Sequence, residues 1–117
     1  MKEVEQLYYN DFGVAFHWKK NNEVLRDKVQ VVFKETGFYL SLPQIREFTV
    51  IIENTCKNMK CTGCTNSGDC RKFLLKTPFE QLDLAVCKSE LLQIKDLMEG
   101  ALFNFEMYKF LANEGRN

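Results

Sequence analysis

The chain predicts an α+β fold: an antiparallel sheet built from two diverged strand–strand–helix repeats plus an N-terminal strand or hairpin, with two helices on one face. Three observations carry that expectation. Short segments with alternating apolar residues, separated by turn-forming residues, read as strands. Two longer segments with apolar residues at three- and four-residue spacing read as amphipathic helices. The step from strand to capped helix then occurs twice, at an offset of 46 residues from Ser41 to Cys87.

The first strand is "FGVAFHWKK". Phe12, Val14, Phe16 and Trp18 fall on one face and Gly13, Ala15, His17 and Lys19 on the other, so the aromatic face is expected to point inward and His17 outward. Asn21 and Asn22 supply a turn. "KVQVVFKE" follows, with Val29, Val31 and Phe33 aligned, and Gly37 is expected to permit a reversal into "FYLSL", with Phe38, Leu40 and Leu42 aligned. In "SLPQ" the Ser41 hydroxyl can accept the backbone N–H three residues on, and Gln44 can reach back. Pro43 fits a first helical turn, where its missing N–H has no helical partner. Ile45, Phe48, Ile51 and Ile52 form the buried stripe of this helix, which should end near Asn54.

After a polar cysteine-rich stretch the pattern returns. "CRKFLLKTP" and "LDLAVC" read as strands around a turn at Pro78, with Leu82, Leu84 and Val86 aligned. A second helix begins near Ser89. Ser41 aligns with Cys87 and Gln44 with Glu90; Ile45, Phe48, Ile51 and Ile52 align with Leu91, Ile94, Leu97 and Met98. The expected organisation is one domain over residues 1–117, with one repeat at about 29–54, a cysteine-rich loop at 55–70 and a second repeat at about 71–112. Both hairpins are expected to share one sheet, because a hairpin with a single apolar face is only partly covered by one helix.

The segments "LSLPQIREF" and "LLKTPFEQLDLAVCKSELLQIKDLMEGAL", with the "TP" turn and the repeated capped helix, resemble a family of small uncharacterised domains of unknown function from Bacteroidetes over about residues 29–102. The resemblance implies the fold above and no particular activity, and it assigns no site residue. Members of that family often carry cysteines near the N-terminus, whereas here no cysteine precedes Cys56.

Composition excludes several classes of function. With 16 basic and 16 acidic residues the formal net charge is zero, and no basic stripe suited to phosphates is visible, so no nucleic-acid partner is expected. No apolar run approaches the roughly 18–20 residues that cross a bilayer, so no membrane partner is expected either. "MKEVEQLYYNDFG" has no apolar signal core, and the cytoplasm is the expected compartment.

The chemistry-bearing feature is "CKNMKCTGCTNSGDC", with Cys56, Cys61, Cys64 and Cys70 at C-x4-C-x2-C-x5-C spacing. Four thiolates satisfy tetrahedral zinc, and a CxxC turn presents two sulfurs to one ion. These four residues are the candidate metal ligands and zinc the candidate cofactor. The first three also match the spacing of plant-type iron–sulfur ligands, with Cys70 or Cys87 as a fourth. Disulfides and free thiols remain open, the former disfavoured in a reducing compartment.

Cys87 is expected at a helix N-terminus, where a thiolate is favoured, although a buried inert cysteine is the commoner case. The single histidine, His17, is the only imidazole that could serve it as a base. In the last helix Leu97, Ala101, Phe105 and Tyr108 lie near one face while Leu102, Phe103, Met107, Phe110 and Leu111 surround the rest. A small sheet cannot cover all of these, so the helix is expected either to be buried from several sides or to form a homodimer through Phe103, Phe110 and Leu111. The functional expectation is a small non-enzymatic binding or regulatory domain with a structural zinc clip. The alternative is a thiol-based redox protein or enzyme using Cys87 or the Cys61/Cys64 pair.

Overall fold

The computed structural model describes residues 3–58 and 72–115, with the side chains of 109 and 112–115 excepted. The order is β1 (Val4–Tyr9), β2 (Gly13–Lys20), β3 (Glu23–Val24), β4 (Lys28–Phe33), β5 (Thr36–Ser41), α1 (Leu42–Asn58), β6 (Phe73–Lys76), β7 (Asp83–Val86) and α2 (Lys88–Gly115). The fold is α+β, and every strand pair is antiparallel. The main sheet has the order β1-β2-β4-β5, with the short β3 added on β2. The second hairpin does not join it: β6 and β7 form a separate two-stranded ladder, which corrects the expectation of one shared sheet. Its Leu75 and Val86 are buried, so the hairpin meets the common core through side chains rather than by strand pairing. Whether the two strand–strand–helix units are a true repeat is left open by this arrangement.

Local chemistry explains the boundaries. Asn21 and Asn22 both take positive φ between paired Lys20 and Glu23, the geometry of a tight hairpin turn whose twist suits its strands. The next reversal is at Lys34 and Glu35, not at Gly37, which lies inside β5 opposite Val32. Lys34 adopts φ 55°, a conformation that disfavours a side chain, and an ion pair described below holds it there. Ser41 N–H donates to Gln44 Oε1 (2.9 Å) and Gln44 N–H to Ser41 Oγ (3.4 Å), the reciprocal cap expected for α1. The helix runs four residues beyond Asn54, to Asn58, and Cys56 is therefore helical.

Both helices lie on one face of the main sheet. α2 packs on β1 and β2, and α1 packs on β5, β6 and α2. Between them lie Val29, Val31, Phe33, Phe38, Leu40, Ile45, Phe48, Ile52, Ile94, Leu97 and Met98, while Ile51 is only half-buried.

The face of β2 is the reverse of that expected. Ala15 and His17 are fully buried, whereas Val14, Phe16 and Trp18 form part of the uncovered face. Phe16 and Trp18 meet edge to face at 5.0 Å, and Trp18 Nε1 donates to Gln30 Oε1 (3.1 Å). The physical reason is clearance. A Cβ at Gly13 would stand 2.3 Å from the Val32 carbonyl and 3.0 Å from Leu97 Cδ2, and one at Gly100 would meet the Tyr8 ring at 2.5 Å. α2 therefore approaches the hairpin along small residues, a seat that the bulky face of β2 could not provide. Gly13→Ala should cost about 2–3 kcal/mol, since a backbone oxygen cannot step aside. The check is a lower urea midpoint at unchanged slope; a loss under about 0.5 kcal/mol would show that the seat has slack.

Candidate functional site

Three groups of residues could carry function: the cysteines, the N-terminus of α2 and the outer face of α2. Of the four candidate metal ligands, Cys61, Cys64 and Cys70 lie outside the described residues. Cys56 sits in the last turn of α1, half-buried against the core. Burial pushes its thiol up, offset in part by Lys95. Among the described residues no cluster of three His, Cys, Asp or Glu side chains could hold a metal ion.

The N-terminus of α2 repeats the cap of α1 with a cysteine in place of the serine. Cys87 N–H donates to Glu90 Oε1 (3.0 Å), and the Cys87 carbonyl accepts from Leu91 N–H (2.9 Å). Ser89 Oγ stands 3.6 Å from Cys87 Sγ, and its hydroxyl, with the backbone N–H groups of Glu90 and Ser89, holds the thiol below its ordinary value.

Glu90 also receives Lys34 Nζ on Oε2 and Lys72 Nζ on Oε1 (3.2 Å). One carboxylate thus ties the turn between β4 and β5 and the entry to β6 onto the start of α2. The Lys34 ammonium leads in holding the Glu90 carboxyl down to about 2. The fold does not bring His17 to this thiol. His17 packs on Phe105, 18 residues further along α2 and so roughly 27 Å from its start.

His17 has a distinct environment. It is 0% exposed; Nδ1 is 3.0 Å from the Lys28 carbonyl, and its ring meets that of Phe105 edge to face at 5.2 Å. Burial pushes it below its ordinary value. Alternation placed it outside; the small inward residues Gly13 and Ala15 on the same face were the signal for its true side.

The outer face of α2 carries Phe103 (63% exposed), Met107 (40%), Phe110 (57%) and Leu111 (56%). Spacings of four and three put the first three on a single stripe opposite Ala101 and Phe105. Two shallow grooves flank it. One of about 300 Å3 is lined by Leu7, Asn104, Met107, Tyr108 and Leu111; the other, of about 310 Å3, lies between the helices beside Phe103 and Glu106. No helix among the described residues is long and apolar enough to cross a membrane.

Comparison with known proteins finds no matching family model, no matching curated protein and no matching solved structure. The resemblance to small Bacteroidetes domains therefore carries no further argument.

Glu90→Gln removes a charge whose folded value lies below its unfolded one. The stabilisation is complete above about pH 4.5 and is lost as pH falls through about 2. The two lysines are about half exposed, which screens the pair, so the loss at pH 7 should be about 1–2 kcal/mol. Urea unfolding at pH 7 and pH 3 checks this: the gap between wild type and variant should narrow at pH 3, and an unchanged gap would exclude the ion pair as its source.

Proposed function

We propose that the chain is a small non-enzymatic binding module of the cytoplasm that docks a partner, most simply a second copy of itself, through the outer face of α2. The observation that carries this reading is the stripe of Phe103, Met107 and Phe110 with Leu111 beside it, all left in water by the core. These side chains offer roughly 400 Å2 of apolar surface per chain, taking about 200 Å2 for a full aromatic side chain. With a polar rim of the usual proportion, a two-fold contact centred on them would bury roughly 1,300 Å2 in total, above the ~1,000 Å2 a specific interface needs. An antiparallel two-fold pairing of helices lays Phe103 of one copy against Phe110 of the other, so one stripe serves both sides.

Phe110→Glu should give a monomer with the melting temperature of the dilute wild type, because Phe110 contributes nothing to the described core. The double variant Phe103→Glu/Phe110→Lys should pair again, since antiparallel packing sets opposite charges face to face. Light scattering over a concentration series reads both; a wild type that stays monomeric throughout would end this reading.

The cysteine loop complements the module as a structural clip in which Cys56, Cys61, Cys64 and Cys70 hold one zinc. What supports this is the place of Cys56 in the final turn of α1, leading directly into the other three, together with the spacing. Native mass spectrometry should find about one zinc per chain, lost in the Cys61→Ser/Cys64→Ser variant with the helices intact; metal-free chains prepared without chelator would exclude the clip. A second reading, a thiol-based redox protein, is favoured by the lowered thiol of Cys87. Rapid alkylation of Cys87 at neutral pH would select it.

A further inference from the structure

α2 is held to the sheet by two sets of contacts that divide at Gly100. On the N-terminal side, Leu91, Ile94, Leu97 and Met98 are buried. There Tyr8 Oη donates to the Asp96 carboxylate (2.9 Å), and Asn10 Nδ2 reaches both Asp96 Oδ2 (2.9 Å) and the Gln93 carbonyl (3.1 Å). On the far side only Ala101 and Phe105 are fully buried among the described side chains, helped by Asn104 Nδ2 donating to the Leu7 carbonyl (2.6 Å) and by Arg26 over the Tyr108 ring at 4.8 Å. Glycine is the weakest helix former after proline, so the boundary between the halves is also the softest point of the helix.

Phe105 rests on His17. A carbonyl can only accept, so the bond to Lys28 O places the proton on Nδ1 and leaves Nε2 as a bare lone pair. Nε2 is buried with no partner. A proton taken there from solvent would put a cation in a closed contact beside the edge of an aromatic ring, away from water.

The charged groups around the ring do not offset this. From β1, Glu5 stands opposite His17 and favours the cation. Its buried Oε1 has no hydrogen-bond partner and lies 3.1 Å from the Arg26 guanidinium, so an N–H on Nε2 could engage it only in competition with Arg26, the group that covers Tyr108 of α2. Arg26 itself, before β4, opposes it, and the Leu25 and Lys28 carbonyls favour it. The Lys28 ammonium lies over Tyr39, and α2 contributes Phe105 and, under Arg26, the Tyr108 phenol. Burial outweighs these and holds His17 below its ordinary value.

We infer that His17 is an acid-sensitive latch: on gaining a proton at Nε2 it releases residues 101–111 of α2 from the β1–β2 hairpin, with Gly100 as the hinge. Resting on the docking role proposed above, the released segment is the one that bears Phe103, Phe110 and Leu111, so acid dismantles the docking face. With the folded value lowered, the seat is fully stable above about pH 6.5, the unfolded value, and weakens as pH falls from there through the folded value. Glu90 stays ionised over this range, so the start of α2 is unaffected.

The chain has one histidine, so its imidazole gives a single NMR titration. The experiment follows that titration and the amide exchange of both helices from pH 7.5 to 5.0, corrected for intrinsic exchange. Expected is a midpoint below 6.5, with protection of 101–111 falling at least tenfold in step with it while 91–98 and α1 hold. His17→Gln, whose amide can still donate to the Lys28 carbonyl, should keep 101–111 protected at pH 5.0. Three results would overturn the latch: a midpoint at or above 6.5 with unchanged protection, loss of protection by both helices together, or the same acid response in His17→Gln. Should that variant not fold, the wild-type titration decides alone. The readout is the seating of the helix and not assembly, so a chain monomeric at every pH would sink the docking role and leave the latch standing or falling on its own data.

Discussion

The close seat of α2 on the β1–β2 hairpin is the constraint from which the other features follow. It exists because side chains are missing or minimal at Gly13, Ala15, Gly100 and Ala101. That clearance lets the Tyr8 ring lie on the helix backbone and brings its hydroxyl to Asp96. It also decides which face of the sheet is covered, and so leaves Phe16 and Trp18 on the other. A helix pressed this near cannot turn its full apolar circumference inward, and Phe103 and Phe110 remain outside.

The legible parts of the fold were those where local chemistry and burial agree. Ser41 with Gln44 and Cys87 with Glu90 form the caps that their spacing implies, and Val29, Val31 and Phe33 share the buried face as alternation requires. Where two signals competed, the larger side chains misled. Val14, Phe16 and Trp18 outweigh Gly13, Ala15 and His17 in hydrophobicity, yet packing distance chose the smaller set; of the aromatic face only Phe12, just ahead of β2, packs on the core, stacked on Phe33. The failure of β6 and β7 to join the main sheet was not readable, because strand pairing between hairpins depends on edges that no local pattern encodes. Of the candidate sites, the exposed stripe of α2 was legible as a surplus of apolar residues. Its division at Gly100 was not, because that depends on which residues of distant β1 meet each half.

Glu90 shows how one side chain can serve at three levels. It closes the cap of α2, it offsets the strained turn at Lys34, and through Lys72 it holds the β6–β7 hairpin near the β4–β5 turn. The same position in the first cap is Gln44, which is neutral and, among the described residues, bonds its own Ser41 alone. The two caps thus share a geometry and differ in reach: a charged residue recruits distant partners, and an amide stays local.

The contacts that seat α2 also join the two ends of the chain. Tyr8 and Asp96 are 88 residues apart, and Leu7 and Asn104 are 97 apart. A chain made from its N-terminus has the whole first hairpin, including the inner face that carries Ala15 and His17, well before the helix that covers it. At about 5–20 residues per second, that face waits several seconds on the ribosome without its cover. During that interval the hairpin is a sheet fragment with both faces open, and the small side chains that later admit α2 then limit how much oil it shows to other chains.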